Sequence, residues 1–322
     1  MIRFLIRRVF WAVWLFFVAT LILYVLFFVI SRDPYALNTS AQSSSAFARH
    51  IRSELHLDVP TYQQYWIFIW NMIRYQSLGY SFQNGQAVRS IVWQDAKVTG
   101  SLIFGAVILW VLISVPIGIL SALRPRSLFD RFSMVFVLVG IASPPVWMAL
   151  VLAYIFGFRL GWFPIGDYCS FFPSSAGACS GPPEWAYHMI LPWAALTWLF
   201  AAIYVRMIRA SLLDTANEDY VRTARAKGAP ERRVVVKHIL RNSLLPVVTM
   251  LGMDMALAFS GAVFIEQVFN LPGLGGDLLS AVFESDIPVI VGVILFVTLA
   301  VIVTNFVVDV AYAWLDPRIR LG

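Results

Sequence analysis

The sequence predicts an all-α membrane protein with six transmembrane helices and cytoplasmic N- and C-termini. Three observations carry that reading. The chain of 322 residues is 60% hydrophobic and 13% charged, with mean hydropathy +0.75, whereas soluble domains run at roughly 45–50% apolar and about 25% charged. The excess is gathered into runs that reach the roughly 20 residues a helix needs to cross a bilayer. Those runs are apolar all round, whereas strands of a closed barrel, the other spanning solution, alternate apolar and polar residues over about ten positions.

Taken in order, the first run is Val9–Ile30. Arg3, Arg7 and Arg8 precede it in the manner of a signal peptide. It exceeds the roughly 7–15 residues of a cleaved apolar region and no A-x-A site follows, so an uncleaved signal anchor is expected. Five more runs follow: Thr99–Ser121, Met134–Gly157, Met189–Val205, Leu244–Ile265 and Val289–Trp314. The fourth continues past Arg206 and Arg209 as an amphipathic end. Pro116, Pro144 and Pro145 are expected to kink their helices, because proline removes a backbone donor and crowds the preceding turn.

Orientation follows from lysine and arginine in the short loops. One side holds Arg3, Arg7 and Arg8, then Arg124, Arg126 and Arg131, then nine basic residues between Arg206 and Arg241, then Arg318 and Arg320: seventeen of the chain's 24. Six of the other seven fall in Ser31–Val98, a loop long enough to cross regardless of charge. Both termini and the segment Glu218–Pro246 are therefore placed in the cytoplasm, which makes 1–98 a span with a large extracytoplasmic loop. Within that loop, Tyr62, Tyr65, Trp66, Ile69 and Trp70 recur at helical spacing. They predict an amphipathic helix resting at the membrane interface, where Trp and Tyr concentrate, against the alternative of direct substrate contact. The two cysteines, Cys169 and Cys179, share one outer loop, and the oxidising side of a membrane favours a disulfide between them. A metal site is not expected, since His188 is the only histidine near them.

The chemistry missing from the sequence narrows function. Lys97, Lys227 and Lys237 are the only lysines, and none follows a G-x-x-x-x-G-K-[ST] loop, so ATP is not hydrolysed here by a P-loop. Gly273-Leu274-Gly275-Gly276 lacks the strand–helix frame of a dinucleotide site and reads as a turn. Zincin, C-x-x-C and nucleophile-elbow motifs are missing as well. His50, His56 and His188 fall outside and His238 inside, so they share no site. An enzyme is disfavoured, and no cofactor is expected in this chain.

The segment Glu218–Pro246, basic and hydrophilic between two apolar spans, carries a family likeness. Glu218-Asp219-Tyr220-Val221-Arg222-Thr223-Ala224-Arg225-Ala226-Lys227-Gly228, with His238, Leu240-Arg241-Asn242 and Leu245-Pro246, resembles the EAA-type loop of ABC importer permeases, in the longer form of the dipeptide/oligopeptide branch. Leu78-Gly79-Tyr80-Ser81, Val268-Phe269 with Leu271-Pro272-Gly273-Leu274-Gly275, and Asp316-Pro317-Arg318-Ile319-Arg320 add to the resemblance. The long first outer loop after a single span looks like the "B" membrane subunit of such systems. The resemblance implies a type I ABC importer permease fold: a five-helix core over 99–316, a cytoplasmic coupling loop at 214–243 and a tail at 317–322. It implies a non-catalytic inner-membrane subunit forming half of a path for di- or oligopeptides. Its partners would be a homologous second permease, two cytoplasmic ATPases that bind ATP and Mg, and an extracytoplasmic solute-binding protein. Relatives of this kind also carry haem, nickel chelates, glutathione or oligosaccharides.

On that basis Glu218, Asp219, Tyr220, Arg222, Ala224, Ala226, Lys227, Gly228 and Arg232 are expected to meet the ATPase. The acids would sit at a helix N-terminus, where negative charge is worth roughly 0.3–1 kcal/mol. The small residues would seat the turn in a groove. Between Arg206 and Arg241 nine basic residues face Asp214, Glu218, Asp219 and Glu231, a net charge of +5; the same charge could instead serve only to anchor at lipid headgroups. Asp254, near the middle of span five, costs about 2.5–3.5 kcal/mol to insert, and either attracts a cationic group on the translocation pathway or is protonated and bonded to a neighbouring helix. Glu266, Phe269, Pro272 and Gly273 are candidates for an outer gate or receptor contact. Two readings from other classes compete: an ion-coupled secondary transporter, which favours inverted repeats and paired midplane charges, and a membrane-anchored assembly or sensor protein.

Overall fold

The computed structural model describes residues 2–30, 60–75, 77–171 and 181–315. The described residues are helical apart from turns and one isolated antiparallel bridge, Tyr80 to Ala87. Five helices are long and apolar enough to span a bilayer, or six if one bent pair is a single span. We number the helices α1 (Ile2–Tyr24, continued as π-helix over Val25–Ile30), α2 (Thr61–Arg74), α3 (Val88–Leu123), α4 (Leu128–Ala142), α5 (Pro145–Leu152, continued over Ala153–Arg159), α6 (Pro182–Ala216), α7 (Asp219–Ala226), α8 (Leu245–Val268, led in by helical segment 231–243), α9 (Leu274–Phe283) and α10 (Ile287–Leu315). The six apolar runs all lie on these helices. Cys179 and the tail from Asp316 lie outside the described residues.

The bent pair is α4 and α5, which meet at 108°. Ser127 starts α4 as its N-cap, accepting from the Asp130 N–H at 3.2 Å. Pro144 and Pro145 end it: a residue before proline is pushed out of the helical region, and Ser143 is accordingly extended (φ −95, ψ 116). Pro116 behaves differently and lies inside the unbroken α3. Pro182 and Pro183 open α6 in its first turn, where a missing N–H costs nothing.

The chain forms two compact units. The first comprises Met1–Lys97 and Gly273–Val303. In it α2 shows the two faces its spacing predicts: Tyr65 and Ile69 are buried with Tyr24, while Tyr62, Trp66 and Trp70 are exposed. The Tyr65 hydroxyl lies 3.0 Å from Thr20 Oγ1. A second cluster joins Val88 and Val92 to Leu274, Ala281, Val289, Ile290 and Val293. It is close because Gly292 has no Cβ to overlap the Val88 side chain.

The second unit comprises Val98–Pro272 and Thr304–Gly322. Its core is built around α6, with Leu196, Phe200, Tyr204 and Ile208 buried against Leu102 and Trp110 of α3 and Met255, Ala258 and Ala262 of α8. Gly140 of α4 faces Ala202, and Gly118 of α3 faces Ile208, so small residues let these helices approach. Phe104, Leu112, Phe132, Leu138, Met253 and Leu257 stay exposed, as befits residues that face hydrocarbon rather than water.

Candidate functional site

The basic segment folds as a short helix, a turn and a second helical stretch. α7 opens at Glu218 in the N-cap position (φ −65, ψ 146), with Asp219 in its first turn. It closes at Gly228, whose φ of +78 is the left-handed conformation that a Cβ disfavours; Pro230 then precedes 231–243. Glu218, Asp219, Tyr220, Arg222, Ala226, Lys227, Gly228 and Arg232 are exposed, and Ala224 is half-buried. A Cβ at Gly228 would meet nothing within 4 Å, so within this chain the demand on Gly228 is conformational. Two connections brace the turn. Arg225 pairs with Glu231, Nη2 to Oε1 at 2.7 Å, which holds the guanidinium above its ordinary pKa. Asn242 Nδ2 donates to the Tyr220 hydroxyl at 2.8 Å.

What fixes the segment to the bundle is apolar. Val221 and Val234 are fully buried and join Leu212 and Ile239 in the core of the second unit. Sequence reading concentrated on the charged and small residues and passed over these anchors. Their signal was apolar residues within a hydrophilic stretch: Val221 beside Arg222, and Val234 at the head of the run Val234-Val235-Val236.

A further polar site was also missed. Asp130 is 5% exposed and receives a two-pronged bond from Arg209, Nε to Oδ1 at 2.7 Å and Nη2 to Oδ2 at 2.9 Å. Ser121 Oγ donates to the same carboxylate, and the Arg126 N–H donates at 2.8 Å. Arg126 itself sits at φ +64. The end of α3, the start of α4 and the last turns of α6 are thereby tied together, nine residues before α7 begins its cap at Glu218. In sequence, Arg126, Arg131 and Arg209 all read as basic anchors; nothing in their spacing distinguishes the one that is paired.

Asp254 lies on α8, 7% exposed within the core, beside the Tyr204 hydroxyl of α6. Near the end of α8, Glu266 is 1% exposed and accepts from Thr99 Oγ1 at 2.6 Å. Phe269 is also buried and Pro272 is exposed; Gly273, where the other unit resumes, is buried at the start of α9. Cys169 is buried and disulfide-bonded; Cys179 lies outside the described residues. Cys169, Glu184 and His188 bring potential metal ligands within 4.8 Å of one another, a nearness that the sequence did not reveal, but the sulfur is engaged in the disulfide. In the first unit, Ser81 of the Leu78-Gly79-Tyr80-Ser81 motif bonds Asp286, whose other oxygen accepts from the Phe82 N–H at 3.2 Å.

Apolar helices of spanning length, joined by an exposed basic helix and turn, define a membrane protein. Residues 114–321 match the family described as the binding-protein-dependent transport system inner membrane component, and residues 1–103 match the N-terminal part of such membrane components; the chain belongs to this family of ABC importer permeases. It is accordingly a multi-pass protein of the bacterial plasma membrane. Relatives align along its whole length. A Brucella suis chain described as a candidate peptide permease is 37% identical over all of both chains. The glutathione transport system permease GsiC of Escherichia coli is 34% identical over 99% of each. The oligopeptide transport system permease AppB of Bacillus subtilis is 33% identical, covering 99% of this chain and all of that one.

Proposed function

We propose that this chain forms half of the translocation path of an ATP-driven importer of di- or oligopeptides. The observation that carries the coupling part of this reading is the exposed turn at Gly228, hung on the buried Val221 and Val234 and edged by Glu218, Asp219, Tyr220, Arg222, Lys227 and Arg232. It offers a rigid basic surface to a partner. We assign that partner as an ATPase on the cytoplasmic side, one of two, with a homologous second permease beside this chain and a solute-binding protein outside. ATP and Mg belong to the ATPases, and this chain is not itself catalytic. Peptide as the substrate class is supported by the descriptions of the Brucella and Bacillus relatives, and glutathione, carried by the Escherichia coli relative, is itself a small peptide. The Lys and Arg bias supports a reading with both termini on the ATPase side, and the Cys169–Cys179 pairing is assigned to the outer loop. Asp254 is the acidic group this chain contributes near the path, and Pro272 is the exposed member of the outer-mouth candidates.

The test is reconstitution of the assembled complex with its binding protein. Peptide-loaded binding protein should raise ATP hydrolysis and drive peptide uptake into vesicles. An assembled complex whose ATPase answers to no peptide, while answering to a haem, a metal chelate or a sugar, would reassign the substrate.

A further inference from the structure

Tyr62, Trp66, Trp70 and Ile73 form a row along α2, at steps of four, four and three residues. Each is at least 60% exposed. Arg74, the last residue of the helix, is its only charge. A large exposed apolar face of this kind marks a surface that meets something other than water. The opposite face packs on two helices of the same unit, and these show how deep α2 lies. The Tyr65 hydroxyl meets Thr20 of α1 at 3.0 Å, and the Tyr24 hydroxyl donates to Gln64 Oε1 at 3.0 Å. One apolar cluster joins Phe68 and Met72 of α2 to Phe27 of α1 and to Ile287, Val291 and Leu295 of α10.

The two helices agree on that depth. Their apolar stretches of spanning length are Ile6–Phe27 in α1 and Ile287–Val310 in α10. At about 1.5 Å per residue, Thr20 and Tyr24 lie about 5 and 11 Å from the middle of the first stretch. Leu295 and Val291 lie about 5 and 11 Å from the middle of the second. All four fall within the roughly 15 Å half-thickness of a hydrocarbon core, on the side of Phe27 and Ile287. Lipid at that depth offers the backbone no partners, and the ends of α2 close on themselves. The Gln63 and Gln64 N–H groups donate to Pro60 O at 2.8 and 3.1 Å, and those of Tyr75 and Ser77 to Asn71 O at 3.0 and 3.3 Å. The row also continues a lipid-facing surface. Phe10, Trp11, Val13 and Trp14 of α1 are exposed, Trp14 stacks on Phe17, and the Phe17 and Trp66 ring centres lie 6.4 Å apart. We propose that α2 is seated inside one leaflet of the bilayer, with Tyr62, Trp66, Trp70 and Ile73 against lipid acyl chains. It is then a membrane-embedded brace between α1 and α10, deeper than a helix resting at the interface.

Spin labels on the assembled importer in nanodiscs test this. Collision with oxygen, which dissolves in the bilayer, is compared with collision with a water-soluble nickel chelate. For a nitroxide at Trp66→Cys or Trp70→Cys the ratio should be several-fold higher than at Asn84→Cys, in the exposed polar turn 82–84. It should match that of a label at Trp14→Cys on α1. A label met chiefly by the chelate would show that the row faces water, and one shielded from both relaxants that protein covers it; either result overturns the proposal. The unsubstituted complex gives a second reading that no variant can spoil. Lipids with a diazirine in the acyl chain should attach on irradiation within 62–73 as readily as within α1, and adducts on α1 with none on α2 would sink the idea. Neither readout depends on which solute the importer carries.

Discussion

Replacing Arg209 by methionine should destabilise the second unit far more than the loss of any one of its exposed arginines. Asp130 is 6% exposed at its side chain, and in the variant it would keep only the Ser121 hydroxyl and the Arg126 N–H as donors. Removing one member of a buried ion pair costs about 3–5 kcal/mol, because the remaining charge is left buried without its partner. Arg209 retains 23% of its side-chain exposure, so water reaches one edge of the pair and the lower end, about 3 kcal/mol, applies. That is a factor of about a hundred in the unfolding equilibrium. Reversible unfolding in mixed micelles with increasing SDS measures it directly. The neutral pair Asp130→Asn with Arg209→Met should recover a substantial part of the loss, since no bare charge remains. If Arg209→Met unfolds within about 0.5 kcal/mol of the parent, as ordinary surface substitutions do, or if the double variant is no more stable than the single one, the clasp does not hold these helices together.

Two further outcomes follow from backbone and cap geometry. Gly228→Val should lose peptide-driven uptake while Gly228→Asn retains most of it, because φ +78 costs a β-branched residue roughly 1–2 kcal/mol and asparagine less; equal activity in both variants would show that the left-handed turn is not needed. Asp286→Ala should free the segment 77–87, since the carboxylate accepts from Ser81 and Phe82, and limited proteolysis should then cut there several-fold faster; an unchanged cleavage rate would remove Asp286 as its tether.

The legible part of this protein was the part that a bilayer writes into sequence. Five of the six runs appear as single helices, and the third as the pair α4 and α5, because lipid offers the backbone no alternative donors or acceptors. The turn at Gly228 was legible too: Glu218, Gly228 and Pro230 are local signals, and each acts within a few residues of itself. The expected kinks divided. Pro144 followed by Pro145 leaves Ser143 no helical option, so the break is local chemistry, whereas Pro116 is carried through α3.

Span positions, the basic face and the capped turn were fixed by sequence alone, because apolar length, lysine and arginine bias and proline or glycine placement act over one helix or less. Only the tertiary structure decided which polar residues matter inside. Asp130 and Arg209 are 79 positions apart, Thr99 and Glu266 are 167 apart, and Tyr204 meets Asp254 across two helices. A pairing between distant residues leaves no periodicity in the chain. It is set by how α3, α4, α6 and α8 pack, through contacts such as Gly140 on Ala202 and Gly118 on Ile208, and that packing selects, from several arginines and acids of equal appearance, the ones that are buried and paired.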